Sequence, residues 1–116
     1  MHKLIHLYDI AHARSGDKGS DSNIGVIAYT SEGYQFLVEI LTSEKVLQFM
    51  QKTQVKSVIR YEWPNLGALN FVLKGALGKG ASRSLRIDAQ GKALGQILLE
   101  MPLEIDENRL TKCLAS

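Results

Sequence analysis

The chain has 116 residues, 45% of them hydrophobic and 22% charged, with a formal net charge of +2. That length supports one packed core and excludes a pair of ordinary domains. Its one cysteine, Cys113, excludes an internal disulfide framework and a cysteine-based zinc cluster, and fits a reducing cytoplasm. The opening MHKLIHLYDI interrupts its apolar residues with His2, Lys3, His6 and Asp9, so it is not a secretory signal. No run approaches the roughly 20 apolar residues that span a bilayer. A soluble cytoplasmic protein with no membrane partner is expected.

Taken in chain order, Leu4 to Ala11 (LIHLYDIA) predicts a sheet strand, rich in β-branched and aromatic types. It leads into the polar stretch RSGDKGSDSN, Arg14 to Asn23, where Gly16 and Gly19 among small hydrogen-bonding residues predict a loop. Ile24 to Tyr29 predicts a second strand. From Glu32 the period changes: Tyr34, Leu37, Val38 and Leu41 fall at i, i+3, i+4 and i+7, the buried stripe of a helix. Thr42 or Ser43 is a suitable N-cap for a second helical segment through Val46, Leu47 and Met50, with Glu44 in its first turn.

Val55, Ser57, Ile59 and Tyr61 alternate with Lys56, Val58, Arg60 and Glu62, which predicts a half-buried strand. Pro64, Asn65 and Gly67 supply turn chemistry. Ala68 to Leu73 then returns as a hairpin strand, although Leu66, Leu69, Leu73 and Leu77 also suit a helical stripe. GALGKGASRS is a glycine-punctuated loop, followed by a short strand at Leu85 and Ile87. Leu94, Ile97, Leu98 and Met101 have helical spacing, with Asp88 as a possible cap, and Leu99 to Ile105 alternates, so a helix entering a strand near Pro102 is expected. The predicted organisation is one domain over residues 1–116, with a core of about 4–105 and a peripheral tail after Asp106. The fold class is α+β, with helices on one face of a mainly antiparallel sheet.

Charge is unevenly distributed. From Lys52 to Lys92 there are eight basic residues and two acidic ones, a cationic stretch that either steers anions or forms a solvated face. Nucleic acid is not an expected partner, because aromatic residues do not interleave with the basic ones as stacking platforms would. The densest group of functional side chains is His12, Arg14, Ser15, Asp17, Lys18, Asp21, Ser22 and Asn23. Two glycines there expose backbone N–H groups to an anion, complemented by Arg14 as a planar fork and Lys18 as a point charge. The same residues also read as a loop stitched together by its own Asp and Ser side chains, with its basic groups paired to Asp17 and Asp21.

SGDKGS and GKGAS both lack the spacing of a Walker phosphate loop, and no GxSxG nucleophile elbow occurs. His2, His6 and His12 share strand parity, but an extended chain separates the outer two by roughly 33 Å. Only His12 with loop carboxylates remains as a metal set, and no metal or cofactor is expected.

Three blocks, IAHARSGDKGSDSNIGVIA, RYEWPNLGALNFVLKGALGKGASRSLRID and AQGKALGQILLEM, together resemble the AtuA-like domain. This is a ferredoxin-fold module found C-terminal to a larger domain in acyclic terpene utilisation proteins, and also as small separate proteins. The resemblance implies a ferredoxin-like sandwich, here with an extra N-terminal strand. It also implies an accessory or binding module that partners a larger AtuA-type polypeptide in acyclic terpene or acyl-CoA-linked catabolism. An anionic metabolite such as an acyl-CoA would then be held by Arg14, Ser15, Gly16, Lys18, Gly19, Asn23, Asn70, Lys79, Arg83 and Arg86. The alternatives are a small enzyme acting on a thioester or carboxylate, with His12 as general acid or base and Asp17 assisting, and a structural homo-oligomer joined by sheet edges. A homo-oligomer is expected in any case.

Overall fold

The computed structural model describes residues 1–18, 21–51, 55–75 and 92–115. A four-stranded antiparallel sheet has the order β2-β3-β5-β4, formed by β2 (Ala11–Lys18), β3 (Asp21–Ala28), β4 (Ser57–Trp63) and β5 (Ala68–Lys74). A separate two-stranded sheet pairs β1 (His2–His6) with β6 (Pro102–Asp106). The helices are α1 (Ser31–Ile40), α2 (Ser43–Phe49), α3 (Lys92–Leu99) and α4 (Glu107–Cys113). β3 leads through α1 and α2 to β4, and β5 returns between β3 and β4 with both pairings antiparallel. That is a split βαβ unit, the frame of a ferredoxin-like sandwich. β2 occupies the edge beside β3, and β6 turns away to pair with β1.

The core lies between the helices and one face of the larger sheet. Ile24, Val26, Leu69, Phe71 and Leu73 alternate inward from β3 and β5. They meet Leu37 of α1, Leu41, Val46 of α2, Met50, and Leu94 and Leu98 of α3, all fully or almost fully buried. α3 approaches β2 closely because Gly95 lacks a side chain: a Cβ there would stand 3.3 Å from Ser15 Oγ and 3.5 Å from Ala13 Cβ.

Several elements form as the spacing predicts. Thr30 Oγ1 caps α1 by accepting from the Gly33 N–H at 3.0 Å, and Thr42 Oγ1 caps α2 by accepting from the Lys45 N–H at 3.1 Å, so the two helices are separate. Pro64–Leu66 makes one 3₁₀ turn, and Gly67 leaves it at φ 60°, a left-handed conformation that glycine adopts without a Cβ clash. The chain then returns as strand β5, the hairpin rather than the helical stripe.

Four expectations are corrected. The single strand over Leu4–Ala11 is broken by a 3₁₀ turn at Leu7–Asp9, because Leu7 and Ile10 both bury completely and their spacing of three does not fit an alternating strand. Arg14 to Lys18 and Asp21 to Asn23 are strand, not loop: every residue from Ala11 to Lys18 has a partner in β3. The strand at 57–63 has the opposite inward face to the one expected. Arg60 reaches inward to the end of α1, donating to the Val38 carbonyl at 2.8 Å and the Leu41 carbonyl at 3.2 Å, while Ile59, Tyr61 and Trp63 face out. A cation there complements the negative end of the helix.

Lastly, the residues after Asp106 are not a peripheral tail. Asp106 caps α4 by accepting from the Asn108 and Arg109 N–H groups, and α4 packs on α1, burying Leu110 and Cys113. Thr30 Oγ1 also donates to the Lys112 carbonyl at 2.8 Å, and Arg109 donates to Glu32 and Glu39 while lying 5.1 Å over the Phe36 ring. The Arg109 hydrogen bond holds the Glu39 carboxyl below its ordinary pKa.

Burial, with the nearby Glu32 charge, pushes the Cys113 thiol up, so little thiolate exists at pH 8. Cys113 is therefore expected to resist a thiol-disulfide reagent in the folded protein and to react at once in denaturant. Fast reaction in native buffer would mean that α4 is not seated on α1.

Candidate functional site

No described helix packs on the other face of the larger sheet, and the strand register arranges its residues in rows. One row runs Gly16, Asn23, Val72, Ile59; the next Arg14, Gly25, Asn70, Tyr61; the third His12, Ile27, Ala68, Trp63. A concavity of about 570 Å³ lies over these rows, lined by His12, Arg14, Gly16, Asn23, Gly25, Ile27, Trp63, Leu66, Ala68 and Asn70, with Ser15 at its rim. Its floor is low because Gly25 sits between Arg14 and Asn70 with no side chain. Glycine in a strand interior marks a place where another group approaches the backbone closely.

Asn70 lies across Gly25 from Arg14. Its residue is 8% exposed, it lines the concavity, and its amide has no hydrogen-bond partner among the described residues. Arg14, across Gly25, is exposed and makes no ion pair among the described residues. Within the expected cationic stretch, Arg60 pairs with Glu62 at 2.9 Å beneath the sheet, and Lys74 lies 4.0 Å from Asp21.

The expected site residues thus divide. Arg14, Gly16, Asn23, Asn70 and His12 share the concavity. Ser15 alternates to the other face, its Oγ against Gly95 of α3. Asp17 and Lys18 end β2, opposite Ser22 and Asp21. Five steps along β2 take the backbone from His12 to Asp17, about 17 Å. The His12 ring stacks on Tyr29 with centroids 5.6 Å apart, and no carboxylate or hydroxyl partner accompanies it among the described residues. Gly16 spends its backbone groups in the hairpin, not in an anion-binding nest. Gly19, Lys79, Arg83, Arg86 and the predicted strand at Leu85 and Ile87 lie outside the described residues.

Sequence reasoning missed the apolar wall of Ile27, Ala68, Trp63 and Leu66, together with the glycine floor. Its signal is present in the alternation of Ile59 and Tyr61, which continues to Trp63 and belongs to the outward face of β4.

Residues 5–104 match the AtuA ferredoxin-like domain. The chain belongs to this family. The match covers the larger sheet, helices α1 to α3, and most of β6, so the split βαβ frame and the open face both fall within the AtuA ferredoxin-like domain. No curated protein and no solved structure matches the chain. No helix among the described residues is long and apolar enough to cross a membrane.

Proposed function

We propose that this AtuA ferredoxin-like domain is an accessory binding module that acts with a larger AtuA-type protein in acyclic terpene or acyl-CoA-linked catabolism. It holds an anionic group of a metabolite on the open face of its sheet, between Arg14 and Asn70. The observation that supports this reading is that Arg14 and Asn70 line one concavity in the same cross-strand row, with only Gly25 between them. A planar guanidinium fork matches the oxygens of one anion, the Asn70 amide can add a donor with its nitrogen turned to the floor, and charge-assisted bonds of this kind are the strong ones.

Calorimetry with a medium-chain acyl-CoA and with its free acid tests the reading. At least one of the two is expected to bind, with Arg14→Ala and Asn70→Ala each weakening it by about tenfold, the value of one good hydrogen bond. Binding that both variants leave unchanged places the anion elsewhere. Co-purification with a larger AtuA-type polypeptide tests the partnership separately.

A further inference from the structure

The concavity is polar at one end only. Arg14, Asn23 and Asn70 lie in its first two rows, whereas the third row and the turn beyond it present Ile27, Ala68, Trp63 and Leu66. Trp63 is 47% exposed and Leu66 66% exposed, an apolar pair held at the mouth of a polar site. From Gly25, where an anion would sit, to Trp63 is two strand spacings across and two residues along, about 12 Å. The cavity volume of about 570 Å³ is that of a small-molecule site. Among the described residues, one guanidinium and no carboxylate line it, which suits a single negative charge.

We infer that the ligand is an amphipathic monocarboxylate. Its carboxylate is held by Arg14 and the Asn70 and Asn23 amides, and an apolar chain of medium length lies over Gly25, Ile27 and Ala68 against Trp63 and Leu66. This rests on the anion-site reading of the same face and names the class of anion. A phosphate or polyphosphate head carries more charge than the one guanidinium among the described lining residues balances, and a short carboxylate leaves Trp63 and Leu66 uncovered. A chain of medium length satisfies both ends, because each buried methylene leaves water while the head remains bound.

Trp63 is the single tryptophan of the chain, so its emission reports from the apolar end. Titrating the full chain with submicellar decanoate is expected to give a saturable blue shift as Trp63 leaves water. Affinity should rise roughly fourfold per methylene from hexanoate to decanoate. Decanol should bind at least tenfold more weakly, and Arg14→Ala, checked for folding by circular dichroism, should lower decanoate affinity to the level of decanol. A shift that decanol and Arg14→Ala reproduce in full would mean adsorption to an apolar patch, and overturns the inference. Calorimetric binding of inorganic phosphate or free CoA that Arg14→Ala removes, with decanoate leaving Trp63 emission unmoved, overturns the inference but keeps the anion site. If decanoate, phosphate and CoA all fail to bind, both readings fall.

Discussion

Valine in place of Gly25 is expected to weaken decanoate binding at least tenfold while leaving the melting temperature within a few degrees of the parent protein. A Cβ at this position meets the Arg14 carbonyl oxygen and Asn70 Oδ1 at 3.9 Å each, ordinary contact distances. The positive-φ glycines among the described residues are Gly67 and Gly75, so a side chain at Gly25 carries no such backbone strain. Valine favours strands over glycine by up to about 1 kcal/mol, which offsets small packing costs. Its two methyl groups then stand on the floor between Arg14 and Asn70, where the carboxylate would sit. Parallel thermal melts and Trp63 titrations separate the effects. Undiminished binding by a folded Gly25→Val protein would show that the ligand does not use this floor.

Phe71→Ala should have the largest effect on stability, a loss of about 3–5 kcal/mol, read by urea denaturation. Phe71 is fully buried in β5, with Ile24 of β3 on one side and Arg60 of β4 on the other. Its ring fills the space between the two middle strands and the helices, and alanine leaves a cavity that a close-packed sheet cannot collapse to fill. Domains of this size are stable by only about 5–15 kcal/mol, so the variant should be marginal at 37 °C. A loss below about 1.5 kcal/mol would mean that the helices do not pack on this face as described.

These two substitutions probe opposite faces of one sheet, and the sequence was unequally informative about them. The helix-packed face was legible at α1, α2 and β5. Leu37 and Leu41 keep the helical stripe, Thr42 caps a new helix, and Gly67 turns the chain so that Ala68 to Lys74 pairs back. Each of those signals is local, carried by residues within one or two turns. The open face was legible only in part. Arg14, Asn23 and Asn70 were singled out for their chemistry, but His12 was paired with Asp17 as though both sat in one loop.

Composition misled at Arg14 to Lys18. Serine, glycine and aspartate disfavour a strand, yet β2 forms because β3, with Ile24 and Val26 anchored in the core, offers it a full ladder of partners. Pairing to a buried strand outweighs local propensity. The terminal helix was missed for a related reason: Arg109, Leu110 and Cys113 gain their contacts from Glu32, Glu39, Phe36 and Gly33, all on α1 and some 70 or more residues earlier.

By itself, then, the sequence determined the fold class, most helices and turns, and the candidate polar residues around Arg14. Those follow from periodicity, capping and turn chemistry, which act over short stretches of chain. The tertiary structure alone decided that Arg14 to Lys18 pairs with Asp21 to Gly25, that Gly25 separates Arg14 from Asn70, and that Trp63 and Leu66 wall the same hollow. Register between strands distant in sequence sets those neighbours. A shift of one residue would turn every side chain to the other face, and only the packing of the helix-covered side fixes which face remains open.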